Sequence, residues 1–400
     1  MSLVFNTSTT ITSAVRDGCV SEATNEAIVV TAAPDLRKFD MSTGSQNGGN
    51  ITVLTSPGAV CLLTSASAFV MSTSSSTVDL VEIASGYRQN YASPGTAVVP
   101  APLKGQQCAG DIANGIAFGC SNTTGQLVKF VASTFLPSTT SPLWLAGQKA
   151  MTIIFKGSGN FIIGTNTGNI IEFDSAPNIV KQYHINESPN SSLNSSIISP
   201  IVSGLSYDNN MLAVSTVQGF LYCFDHSTGE MLYKQKIGQS TSTTINGTAL
   251  CAAASGVTLY GYQYTCGVAN TIAEADFTVN AITIRDILYS DITTQMVAFG
   301  INSTNNNAFA IQEAAANRKV WFFTITPRDT TTRAFTCQYP SGTNVKADLV
   351  LFSETTNQVI LDTYAASPGT YRVPTGHTIK EIRVYGEGTS AVIESNRYSV

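Results

Sequence analysis

The chain has only three histidines, His184, His226 and His377, so chemistry built on an imidazole has few places to sit. The string Asp225-His226-Ser227 holds the three residue types of a nucleophilic triad. A triad is assembled in space, with the carboxylate orienting the far side of the ring, and three neighbours in one turn cannot reach that geometry. A three-histidine zinc site would have to gather all three residues, one of them from the C-terminal tail. The eight cysteines, at 19, 61, 108, 120, 223, 251, 266 and 337, include no C-x-x-C pair. Several stand inside apolar runs, where cysteine packs as a small hydrophobe. Free thiols, no metal and no cofactor are expected. Paired carboxylates for glycoside cleavage find their nearest candidates in Asp208, Asp286 and Asp291, which read as turn caps. No phosphate-cradling G-x-x-x-x-G-K-[ST] loop is present. The chain is therefore expected to bind and not to catalyse.

The residues left for recognition are aromatic. Trp144, Tyr260, Tyr262 and Tyr264 lie in or beside turn signals. Each offers a flat apolar body with one polar atom, suited to a sugar ring or a protein surface. No catalytic residue is assigned.

What must position them is a repeat. Seven apolar runs share one pattern, a strand ending in small residues, a polar turn, then a second strand. Examples are AIVVTAAPDLRKFDMSTG (27–44), FIIGTNTGNIIEFDSAPN (161–178) and MLAVSTVQGFLYCFDHSTG (211–229). The units start at Ile28, Phe69, Ile116, Phe161, Met211, Ala249 and Met296, a mean spacing of about 45 residues. That is the length of a four-stranded propeller blade. The pattern predicts a seven-bladed β-propeller over residues 1–323. The N-terminal SLVFN (2–6) is expected to pair with the last unit and remove a free sheet edge.

The turns FDMSTG (39–44) and FDHSTG (224–229) resemble the third-to-fourth strand turn of WD-repeat and quinoprotein-type propellers. Asp40 and Asp225 are placed to accept backbone N–H groups further along each turn, with Gly44 and Gly229 in the left-handed position. The resemblance implies architecture. No Trp-Asp dipeptide or Gly-His signature occurs, and the two tryptophans are too few for the docking pattern of a quinone enzyme.

From residue 324 the period stops, and short runs such as KADLVLFSETTNQVILDTY (346–364) and HTIKEIRVYG (377–386) are bounded by turn residues. Residues 324–400 are expected to form a small all-β, sandwich-like domain of five to seven strands, for docking or oligomerisation.

Composition narrows the partners. Charged residues make up 12% of the chain, about half the usual share of roughly 25%. Ser, Thr, Asn and Gly take their place. The net charge is −5, with no basic stripe, which argues against nucleic acid. No apolar stretch approaches the roughly 20 residues of a membrane span. MSLVFNTSTTITSAV has neither the charged n-region nor the apolar h-region of a secretion signal. A low-charge surface, no evident chemistry and no signal point to a virion structural protein: a tail, fibre or capsid-decoration component made in a host cytoplasm. Its expected partners are other virion proteins, in a homo-oligomer or symmetric assembly. A carbohydrate- or receptor-binding propeller touching a host-surface glycan is the alternative, and a glycan-degrading propeller enzyme the third reading.

Overall fold

In the computed structural model the described residues are almost entirely strands and turns. Among the described residues the one helical element is a 3-10 turn, η1 (Leu143–Leu145). The structure describes residues 2–92 except 75, 106–185 except 135, 201–236 except 209 and 217–219, and beyond these the strands of 250–326 and 332–397, the turn 304–306 and residue 318; in several strands only the backbone is described.

The N-terminal strand is β1 (Ser2–Thr10). Six four-stranded antiparallel blades follow, each built from consecutive strands. Blade 1 is β2 (Val15–Ser21), β3 (Glu26–Thr31), β4 (Asp35–Asp40) and β5 (Ile51–Thr52). Blade 2 is β6 (Pro57–Thr64), β7 (Ser67–Ser72), β8 (Thr77–Glu82) and β9 (Arg88–Ala92). Blade 3 is β10 (Cys108–Asp111), β11 (Ile116–Cys120), β12 (Leu127–Val131) and β13 (Leu136–Thr140). Blade 4 is β14 (Ala150–Gly157), β15 (Asn160–Thr165), β16 (Asn169–Asp174) and β17 (Ile179–His184). Blade 5 is β18 (Val202–Asp208), β19 (Met211–Thr216), β20 (Phe220–Asp225) and β21 (Met231–Lys236). Blade 6 is β22 (Leu250–Ala252), β23 (Thr258–Gln263), β24 (Thr271–Thr278) and β25 (Ala281–Leu288).

The expectation of seven like units is corrected here. Six blades are contiguous in sequence, whereas the last run supplies only β26 (Met296–Asn302), β27 (Asn307–Gln312) and β28 (Lys319–Thr326). Three strands leave the edge of β28 bare, and β1 returns to fill it, paired from Ser2 opposite Thr326 to Thr10 opposite Lys319 with a bulge at Asn6. Unpaired backbone N–H and C=O groups at a sheet edge drive this closure. The Phe5 ring lies tilted 5.3 Å from that of Trp321, and Asn6 Nδ2 donates to Thr324 Oγ1 at 2.7 Å. The composite sheet lies between blades 6 and 1, with β26 touching both β22 and β2.

Blade faces explain why the strands read as nearly unbroken apolar runs. In blade 4, Phe161, Ile163, Ile171 and Phe173 pack toward blade 3 against Phe118. The alternate residues Ile162 and Ile170 pack toward blade 5 against Leu205, Leu212 and Tyr222. Side chains alternate across a strand, so a sheet covered on both faces needs apolar residues at nearly every position. Each such fully buried Ile or Phe contributes about 1.5–3 kcal/mol. The inner strands approach closely: a side chain at Gly110 on β10 would place its Cβ 1.8 Å from the Leu62 carbonyl oxygen on β6.

Beyond Thr326 the strands pair among themselves. β29 (Thr332–Cys337) pairs with β32 (Gly369–Pro374), and β30 (Val345–Ser353) lies between β31 (Gln358–Tyr364) and β33 (His377–Gly386), with β34 (Val392–Arg397) outermost.

Removing residues 1–12 strips β1 from the composite sheet. A sharp fall in melting temperature is expected in a calorimetric scan; an unchanged value would reject closure by this strand.

Candidate functional site

The turn motif is present as expected, and it builds more than a turn. Asp40 Oδ1 accepts the N–H groups of Ser42 and Thr43 at 2.8 and 2.9 Å, and Gly44 has φ +71°. Asp225 Oδ1 accepts those of Ser227 and Thr228 at 2.8 and 3.0 Å, and Gly229 has φ +81°. The serine hydroxyl in each turn leads the hydrogen bonds that hold both carboxyls below the usual aspartate range. Blade 2 repeats the turn with Glu82 and Gly86, and blade 4 with Asp174, which accepts Ala176 N–H at 2.9 Å and Asn178 N–H at 2.8 Å.

These turns serve as catches between blades. In blades 1, 3 and 4 the third-strand residue two places before the cap reaches the residue just after the cap of the next blade. Lys38 Nζ donates to Ile83 O at 3.1 Å across blades 1 and 2. Leu80 and Ala132 share one apolar cluster across blades 2 and 3. Lys129 Nζ donates to Ser175 O at 2.6 Å across blades 3 and 4. Across blades 4 and 5 the same two positions are Glu172 and His226.

Here the contact becomes a buried polar network. His226 Nε2 lies 2.7 Å from Glu172 Oε2, and Tyr183 Oη lies 2.8 Å from His226 Nδ1. Glu172 Oε1 accepts Lys156 Nζ at 2.6 Å and Asn160 Nδ2 at 2.8 Å. Lys156 sits over the Tyr207 ring, whose edge meets the imidazole. Lys181 closes the group from the outer strand by donating to the carbonyl oxygens of His226 and Ser227. Burial pushes the Glu172 carboxyl up, but the hydrogen bonds and charges of Lys156 and His226 outweigh it and leave the group ionised below the usual glutamate range. Burial, only partly opposed by Glu172, lowers the His226 imidazole. A neutral ring fits the geometry, with Nε2–H donating to Glu172 and Nδ1 accepting the Tyr183 hydroxyl.

Carboxylate, imidazole and phenol in series could relay a proton, but this series ends in packing. Glu172 is 1% exposed, His226 4% and Tyr183 8%. Tyr183 tilts against Phe224 at 5.3 Å. The cleft between blades 1 and 2 and the cavity lined by Val20, Glu22, Leu62, Ile112 and Asn305 include none of the three. The Asp225-His226-Ser227 string is turn chemistry, as read from the sequence. The partner that orients the histidine is Glu172, 54 residues away, and no local signal names it.

A second buried group stands on the inner strands. Asp17 on β2 is 2% exposed; its Oδ2 accepts Val60 N–H of β6 at 3.0 Å, and Oδ1 has no protein partner. Burial raises this carboxyl to about 7. Cys19, Cys61 and Cys108 surround it, and burial raises the Cys19 and Cys108 thiols well above the usual range. Cys19, Cys61, Cys108, Cys120 and Cys223 are free. No cluster of metal-binding type occurs among the described residues.

Of the residues expected to bind ligand, only Trp144 has a described side chain. Trp144 on η1 donates its indole N–H to Pro177 O at 2.9 Å and tilts onto Phe173 at 5.2 Å, fastening blade 3 to blade 4. Its polar atom and one face are thus occupied. Tyr260 and Tyr262 lie on β23, opposite Glu274 and Ile272 of β24. Their side chains, and the whole of Tyr264, fall outside the described residues. What the sequence reading missed is an apolar rim. Leu136, Ile179, Val180, Met231 and Leu232 open the outer strands of three successive blades, all exposed, and Leu143 beside them is 93% exposed.

No family model and no curated protein matches the chain. Among solved structures it is similar to a chain of the mitotic checkpoint complex, with TM-score 0.60 and 10% identity over 81% of this chain and 94% of that one. It is also similar to the β-propeller domain of Myceliophteria thermophila Cps50 (Swd1), again with TM-score 0.60 and 10% identity, over 81% of this chain and all of the other. At that identity the likeness establishes the fold, a β-propeller with WD-repeat-like neighbours.

Replacing His226 by Ala leaves Glu172 and Tyr183 buried without their partner, and is expected to cost about 2–4 kcal/mol in chemical denaturation. Asp17 gives a pH signature. Its folded carboxyl, at about 7, keeps the proton that the unfolded chain releases near 3.8. Its contribution is therefore complete at acid pH and is lost as pH rises from about 4 to about 7. Asp17→Asn is expected to flatten the stability curve over that window, and an unaltered curve would contradict the assignment.

Proposed function

We propose that the protein is a non-enzymatic scaffold that binds other proteins along the rim of its propeller. The observation that carries this reading is the exposure of Leu136, Ile179, Val180, Met231 and Leu232, which open the outer strands of blades 3 to 5, and of Leu143 in the turn between blades 3 and 4. Large apolar residues left exposed at the same place in successive repeats suit a partner surface. The residues best equipped for acid–base work support the same reading, because Glu172, His226, Tyr183 and Lys156 are all engaged in holding two blades together. One of the similar structures is a chain within a protein complex.

Within this reading, the composite sheet acts as the seventh blade that closes the ring, and residues 324–400 act as a separate docking or oligomerisation domain. The narrower role is a structural component of a virion. Its support is compositional: a chain with 12% charged residues presents hydroxyls and amides where most proteins present Lys and Glu. The sugar-binding reading rests on Tyr260 and Tyr262, since the indole N–H of Trp144 is already bonded to Pro177.

Mass spectrometry of density-purified particles from a culture of the source organism tests the narrower role. A fixed stoichiometry with a capsid protein is expected; recovery only from the soluble cell fraction would overturn it. The rim is tested by Leu143→Asp with Val180→Asp, expected to abolish co-purification with its partners and to leave the melting temperature within a few degrees of the parent.

A further inference from the structure

Blade 1 ends in an outer strand of two residues, β5, paired only through Asp35 with Thr52 and Leu36 with Ile51. Its neighbour in blade 2, β9, has five. The chain before β5 pairs with β4 at Gln46, opposite Phe39, and at Asn47, whose N–H donates to Lys38 O, and residues 48–50 then carry no ladder pair. Ile51 comes to face Gly86 of the β8–β9 turn, where an added Cβ would stand 3.5 Å from it. Between this loop and that turn lies a cleft of about 510 Å³.

The lining of the cleft has one sign of charge. Lys38 and Arg88 belong to it, with Gly48, Gly49 and Asn50 on one wall and Ser85 in the opposite turn, and no carboxylate lines it. The acids nearest these groups are already engaged. Asp35 receives Thr31, Arg37 and Asn50; Asp79 receives Asn90 and pairs with Arg88 Nε; Glu82 receives Ser85. Lys38 Nζ meets only a carbonyl oxygen, that of Ile83. The two Nη atoms of Arg88 and the backbone N–H groups of Gly48 and Gly49 have no protein acceptor among the described residues. An ammonium without a counter-ion, half a guanidinium and glycine amides together are the donor set that oxyanions select.

We propose that this cleft between blades 1 and 2 is a binding site for an oxyanionic group, a phosphate, sulfate or carboxylate carried by a ligand. The glycine wall lets such a group approach the backbone, and Lys38 and Arg88 supply charge from the other side. The site is independent of the apolar rim on blades 3 to 5, so loss of particle association and loss of anion binding are separable results.

Lys38 and Arg88 also hold structure, so the test falls on Gly49, where an added Cβ meets no atom within 4 Å. Inorganic phosphate and sulfate are titrated into the full chain by calorimetry. Saturable binding at one site is expected, weakened at least about tenfold in Gly49→Asp and unchanged in Leu143→Asp, which adds the same charge in the turn after blade 3, away from the cleft. No saturable binding, or equal binding by Gly49→Asp, overturns the proposal. A phosphoserine peptide and a glutamate-rich peptide identify the source: competition by either one supports the site and assigns its ligand.

Discussion

A four-stranded blade has two apolar faces and no means of covering either by itself, and this constraint organises the whole propeller. Phe161 and Ile163 require blade 3 beside them, while Ile162 and Ile170 require blade 5. Blades 1 to 3 are in the same position, each packed against its neighbours, so these sheets are stable only as a set. Closure becomes a chemical problem at one place, the bare edge of β28. The solution is to spend the first ten residues of the chain as its outer strand. The two ends of the propeller are thereby held by a backbone ladder, which ties the stability of the ring to a segment distant in sequence from the sheet it completes.

The polar contacts between blades refine this packing. A single structural position, two residues before the turn cap, is filled by Lys38, Leu80, Lys129 and Glu172 in turn; Lys38, Lys129 and Glu172 reach the same place on the following blade, and Leu80 packs against the cluster that Ala132 also joins. Where the pair is lysine and carbonyl, the donor stays partly in water. Where it is Glu172 and His226, both groups are buried, and burial of a charge demands further partners. Lys156, Asn160 and Tyr183 meet that demand. The constellation that most resembles an acid–base centre is best understood as the most deeply buried member of a series of latches.

Sites for partners then fall where the series is interrupted or ends. The short β5 opens the cleft lined by Lys38 and Arg88, and the outer strands of blades 3 to 5 begin with apolar residues that nothing covers. The first is a polar, cationic recess and the second an apolar rim, so the disc presents two chemistries on different parts of its edge.

Much of this was legible in the sequence, and for an identifiable reason. Strand periodicity, the glycines of tight turns and the aspartate caps of FDMSTG and FDHSTG are properties of neighbouring residues, and local sterics and hydrogen bonding express them wherever the chain goes. The repeat length followed from the same local signals, as did the closing role of SLVFN, which the bare edge of the last unit required. The sequence is silent where a residue's role depends on what another blade brings to it. Nothing near Trp144 in sequence shows Pro177 accepting its N–H. His226 looked idle because Glu172 stands 54 residues away. Asp17, an ordinary acid on paper, has its titration moved by the strands packed around it. The sequence by itself determined the strands, the turns and the class of fold; the partner of each polar side chain, and hence which groups remain free to bind, was decided only when the blades closed around one another.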